Sequence, residues 1–146
     1  MTTKVGIETG LPGLVESLLL LEHEAIARYD QGMARLDNPV ARAAVASFRT
    51  DHDRQLAALA LLAGRMQLRP RREAGAPTPR TPGQAALAGL QGDGAILAAM
   101  RGQEDDTVIA YERAAAHPEA TPEAQALFRR AQADALRHRD WMANPG

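Results

Sequence analysis

The chain has 146 residues, the size of one ordinary domain, with no cysteine and a formal net charge of −1 from 17 basic and 18 acidic residues. Those figures exclude disulfides, iron–sulfur ligation and thiol nucleophiles, and they argue against a nucleic-acid or membrane-surface binder held by charge. Hydrophobic residues make up 45% but aromatics only 3%, so aliphatic and alanine side chains must fill the core. No run reaches the ~18 apolar residues of a membrane span. Met1 to Gly10 lacks the basic-then-apolar layout of a secretory signal, so a cytoplasmic protein is expected. Only Lys4 among the basic residues is lysine; with the alanine richness, this arginine bias points to a GC-rich bacterial genome.

Four stretches show helical spacing and none alternates like a strand. The first stripe is Leu11, Val15, Leu18, Glu22, Ala25, Tyr29, Met33 and Leu36. In the second it runs Val45, Phe48, His52, Gln55, Leu59, Leu62 and Met66, after an Asn38-Pro39 start that suits a cap followed by a first helical proline. That helix should stop before Pro70. Thr81-Pro82-Gly83-Gln84 has capping-box spacing and predicts a short helix over Pro82 to Leu90. Asp93-Gly94 opens the third long helix, with Leu97, Met100, Glu104, Val108 and Tyr111 on its stripe. Thr121-Pro122-Glu123 caps the fourth, striped by Leu127, Ala131, Ala135, His138 and Met142, with Phe128, Asp134 and Trp141 beside it.

Loop lengths constrain the topology. The turn Asp37-Asn38-Pro39 makes the first two helices antiparallel neighbours, and His117 to Thr121 does the same for the last two. Positions 69–93, rich in proline, glycine and arginine, are long enough to cross the length of the second helix. The expected fold is therefore all-α: one domain over 1–146, an up-down four-helix bundle with a long crossover, preceded by a tail at 1–10. The alternative is a bundle of short loops with a loose proline-rich linker, which would leave Leu87 and Leu90 nothing to pack on.

The polar residues on the stripes carry the chemistry. Glu22 stands seven residues before Tyr29, and Glu104 seven before Tyr111, while the second and fourth helices carry His52 and His138. The two halves thus look like a weak repeat of one hairpin, each supplying a carboxylate and an imidazole. A buried ionised carboxylate persists only if paired, hydrogen-bonded, protonated or bound to metal. Glu22, His52, Glu104 and His138 converging in mid-bundle would suit iron, manganese or zinc. Direct Glu–His pairing into a metal-free polar layer accounts for the same pattern. Tyr29 and Tyr111 lie two turns from the glutamates on their own helices, and are better placed to hydrogen-bond groups on a neighbouring helix; amphipathic core-edge packing is the plainer account.

Asp134, one turn before His138, is the best spare carboxylate. Asp51 and Asp53 bracket His52; either can swing toward a metal, though a solvated helix face explains both. His23, Glu24, Asp105, Asp106 and His117 read as solvated, with Asp105 able to reach the start of another helix. Arg69, Arg71, Arg72 and Arg80 form a mild anion patch without interleaved aromatics for base stacking. No phosphate loop and no Ser/His/Asp arrangement is present in the sequence.

At Glu22, His52, Glu104 and His138 the chain resembles the ferritin-like superfamily, including rubrerythrin-type di-iron bundles and, more closely, small bacterial ferritin-like domains of unknown function. The likeness rests on Ala95-Ile96-Leu97 through Arg101-Gly102-Gln103-Glu104-Asp105 to Tyr111-Glu112, and on Asp51-His52 through Leu56, Leu59 and Ala63. Di-iron members use one Glu from each of two helices and a Glu-x-x-His pair from each of the others. Here Arg49 and Ala135 stand three residues before the histidines, so both paired glutamates are missing. The resemblance implies ferroxidase or peroxidase activity; the departures imply a single-metal site, a loose two-metal site completed by Asp134 or Asp51 and water, or an inert relic. Four consecutive leucines, Leu18 to Leu21, make the first helix apolar on more than one face, which predicts a homodimer or a partner helix and leaves a non-catalytic interaction module as the alternative function.

Overall fold

A computed structural model describes residues 3–68, 87 and 89–145 of the chain. Four α-helices organise them: α1 (Leu11–Arg35), α2 (Pro39–Arg65), α3 (Asp93–Ala115) and α4 (Pro122–Ala143). Each start has a local cause. The Asn38 side chain accepts from the Val40 and Ala41 amides, and Thr121 from that of Ala124. Asp93, the first residue of α3, accepts from the Asp37 and Asn38 amides at 2.8 and 2.9 Å, which fastens the α1–α2 turn to the start of α3. Those two hydrogen bonds hold the Asp93 carboxyl below its ordinary value. The expected short helix over 82–90 lies outside the described residues, apart from Leu87, 89 and 90. Leu87 is fully buried and Leu90 packs beside it against the bundle.

Side-chain contacts set the helix directions. Tyr29 meets Glu104 while Tyr111 meets Glu22, so α1 and α3 run antiparallel. Arg65 pairs with Glu123 and Asp51 with Arg137, so α2 and α4 do too. With each hairpin antiparallel, the order of the four helices is up, down, down, up. Gly32 makes the α1–α3 contact close: a Cβ there would meet Met100 Sδ at 2.6 Å.

Two apolar clusters fill the interior. One gathers Leu14, Val15, Leu18, Leu59, Tyr111 and Phe128; the other holds Val45, Phe48, Leu87, Ile96, Met100 and Met142. Glu22, His52, Glu104 and His138, all nearly inaccessible to solvent, lie between them on the four helices. Phe128, not Leu127, is the α4 core residue: the 128–131–135–138–142 spacing turns Leu127 partly outward. Leu19 and Leu20 are half-buried rather than exposed, Leu19 against the core. The segment before α1 is tied down as well, since Arg113 donates to the Thr3 and Val5 carbonyls. Among the described residues no helix is long and apolar enough to cross a membrane.

Candidate metal centre

The polar layer ties all four helices together. His52 on α2 places Nδ1 2.7 Å from Glu22 Oε2 on α1 and Nε2 2.8 Å from Glu104 Oε1 on α3. Tyr111 donates to Glu22 Oε1 at 2.6 Å, and Tyr29 to Glu104 Oε1 at 2.5 Å. Both tyrosines therefore serve the glutamate of the neighbouring helix, each joining one hairpin to the other. On α4, His138 Nε2 lies 2.8 Å from Asp51 Oδ2, and its Nδ1 faces Glu104 Oε1 at 3.6 Å, beyond hydrogen-bond reach.

Charge and burial oppose one another here. Burial alone would pull the His52 imidazole down, but Glu104 and Glu22 outweigh it and push it up to about 10. Burial likewise disfavours an ionised Glu104, yet the charge of His52 and the nearby His138 ring hold its carboxyl well below the usual range. Burial and then the adjacent carboxylates, Glu104 for Tyr29 and Glu22 for Tyr111, push both phenols well above their ordinary value. Without metal, His52 is thus an imidazolium donating to two carboxylates.

The layer is not closed. His138 Nδ1 and Glu104 Oε2 are buried without a hydrogen-bond partner, as is Gln55 Oε1 nearby on α2. An unmet buried polar atom costs about 1–3 kcal/mol, and more when charged. One ligand atom each from His52, Glu104 and His138 falls within 4.8 Å of the others, a group that could hold a metal ion. Metal–ligand bonds of about 2.0–2.2 Å ask for ligand atoms roughly 3–4 Å apart; His138 Nδ1 to Glu104 Oε1, at 3.6 Å, falls in that range, and His52 Nε2 to Glu104 Oε1, at 2.8 Å, falls just short of it.

The remaining candidates take other places. Glu22 turns one oxygen to Tyr111 and the other to His52, outside the three-residue group. Asp51 is not on a solvated face: it is buried, and holds His138 while Arg54 and Arg137 cap it from outside. One residue before His52, its side chain is turned about 100° around α2, toward α4. Asp134 is half-buried and accepts from Gln55 Nε2 at 3.0 Å and from Arg137 at 3.2 Å. Asp53 is exposed and paired with Arg49, which also grips Asp30, so Arg49, three residues before His52, faces outward. His23 is exposed and Glu24 half-buried. Asp105 faces Arg139 of α4 at 3.4 Å, and Asp106 takes the Thr3 amide. His117 is buried instead of solvated, donating from Nε2 to the Glu8 carbonyl and accepting the Glu119 amide at Nδ1. The contributions of Gln55, Arg54 and Arg137 escaped sequence reasoning; the only signal was the alternation of acids and arginines around His52 and His138.

No protein-family model, no curated protein and no solved structure matches the chain.

Proposed function

We propose that this chain is a metal-binding protein of ferritin-like architecture, holding one divalent transition-metal ion (iron, manganese or zinc) through His52 Nε2, His138 Nδ1 and Glu104. The observation that carries this reading is the pair of unsatisfied atoms, His138 Nδ1 and Glu104 Oε2, in a layer where nearly every other polar atom is paired. Two imidazoles and one carboxylate form a donor set shared by mononuclear non-haem iron and catalytic zinc sites. The outward-facing Arg49 and the methyl of Ala135, where a second pair of carboxylates would stand, support one ion over two.

The residues around the set have definite tasks under this reading. Asp51 accepts a hydrogen bond from the Nε2–H of His138 and so presents the Nδ1 lone pair inward; Glu22 accepts one from the Nδ1–H of His52 and presents Nε2. Tyr29 donates to Glu104 Oε1 and orients the carboxylate, whose Oε2 has no hydrogen-bond partner. Tyr111 holds Glu22 in place. When bound with open positions, such an ion supplies Lewis-acid or redox chemistry to a small ligand. To bind it, His52 must surrender the proton it shares with Glu104, which the buried Glu104 charge then offsets on the metal side.

The test is metal content. Protein reconstituted with Fe²⁺, Mn²⁺ or Zn²⁺ and desalted should retain about one equivalent, and a His52→Ala/His138→Ala double variant of unchanged helix content should retain none. Elemental analysis that finds no metal under any of these loadings ends the proposal.

A further inference from the structure

Away from the histidine layer, a cavity of about 280 Å³ lies between α1, α3 and the segment that leads into α1. Leu20, Leu21 and Val5 give it an apolar wall, and Glu24, Arg28 and Asp106 give it a charged one. Leu20 is one of the leucines that the single core stripe of α1 does not use. Its half-buried side chain faces this space instead.

Arg28 is under-paired for its depth. Its side chain is 13% exposed, and among the described residues its ion pair is a 4.0 Å contact to Glu24 Oε2. Its Nε is buried with no hydrogen-bond partner. Burial draws the guanidinium below its ordinary value despite nearby acids. A guanidinium offers five donors in a planar fork that matches the two oxygens of a carboxylate, and Glu24 at this distance does not use that fork. Asp106 does not use it either, its Oδ1 accepting from the Thr3 amide at 3.2 Å.

The charges select the ligand class. One cation and two carboxylates leave the charged wall net negative, which repels a simple carboxylate. A simple amine would suit the acids and leave Arg28 as it is. A molecule with both groups answers both signs, and the apolar wall asks for an aliphatic body. The volume sits just below the roughly 300–1,000 Å³ of sites for drug-sized ligands, so the ligand is smaller than those. We propose that this cavity binds a small aliphatic α-amino acid, its carboxylate on Arg28, its ammonium toward Glu24 and Asp106, and its side chain against Leu20, Leu21 and Val5.

The experiment is an amide-resolved NMR titration of the full metal-free chain with three probes: L-leucine, 4-methylpentanoate and 3-methylbutylamine. Leucine should give saturable shifts centred on Leu20, Arg28 and Asp106, and each probe lacking one charge should bind at least about tenfold more weakly, the loss of a charge-assisted contact. Arg28→Gln should weaken leucine at least about tenfold, and Leu20→Phe, which fills the apolar wall, should do the same; the same spectra report the fold of each variant. No saturable shift by about 10 mM leucine, undiminished binding to a folded Arg28→Gln protein, or 4-methylpentanoate binding as tightly as leucine would each overturn the proposal. Metal content plays no part in these outcomes, so they stand apart from the histidine site.

Discussion

His138 Nδ1 and Glu104 Oε1 face each other at 3.6 Å in the middle of the bundle, too far to hydrogen-bond and in residues almost wholly shut off from solvent. Each residue is anchored from its other side, His138 by Asp51 and Glu104 by Tyr29 and His52. The gap between them is therefore held open by the fold rather than left by loose packing.

Anchoring from behind has a measurable consequence. Asp51→Asn should lower the affinity for Zn²⁺ about 10- to 100-fold, the usual effect of losing a carboxylate that orients a ligating imidazole. Competition against a chromophoric chelator reads this directly. An Asp51→Asn protein with unchanged affinity removes Asp51 from the account.

The pH dependence of the metal-free protein follows from His52. Its folded-state value of about 10 lies above the ordinary 6.5, so the folded form holds the proton more tightly than the unfolded chain. The stabilisation is complete below about pH 6.5 and is lost as pH rises through about 10. Tyr29 and Tyr111, also raised, add a loss of the same sign at still higher pH. Urea midpoints should fall between pH 6.5 and 10, and His52→Gln should flatten that fall. A midpoint that climbs across this window contradicts the imidazolium assignment.

Glu104→Gln takes away one of the two carboxylates facing His52, while Glu22 still accepts from its Nδ1. A hydrogen bond to a charged group contributes about 1.5–3 kcal/mol, so urea unfolding of the metal-free variant should show a loss of that order. A loss below about 1 kcal/mol, the scale of a surface pair, is the contrary result.

Phe128 separates folding from binding. It lies in the cluster with Tyr111 and Leu59, and Phe128→Ala should cost about 3–5 kcal/mol of stability. Below its lowered melting temperature the variant should bind Zn²⁺ within about twofold of the parent, since the deleted ring packs on Tyr111, which reaches His52 only through Glu22. A large loss of affinity would tie the site to this distant cluster.

The four inward polar residues were legible because a carboxylate or imidazole on an apolar stripe has nowhere to go but inside. Caps at Asn38 and Thr121 and the start at Asp93 were legible for a similar reason: each rests on residues within one turn. What pairs with what was not. Asp51 looks solvated beside His52 because the stripe runs through His52; only the placement of α4 against that flank of α2 buries it. Leu127 and Phe128 are adjacent apolar residues, and the rotation of α4 that chooses Phe128 depends on which neighbours it meets. His117 precedes a proline in a loop and has the local signature of a surface residue, but the segment at Glu8, more than a hundred positions away, folds over it. Likewise, the cavity beside Arg28 exists only because the lead-in segment lies across α1 and α3.

The most direct test of the metal site is ¹⁵N NMR of the histidine ring nitrogens during a Zn²⁺ titration. His52 Nε2 and His138 Nδ1 should move together to metal-bound shifts at one equivalent, while His52 Nδ1 and His138 Nε2 keep their protons on Glu22 and Asp51. If those two nitrogens stay where they were while exposed His23 responds, the ion does not bind between α2, α3 and α4, and the layer is a proton-sharing network alone.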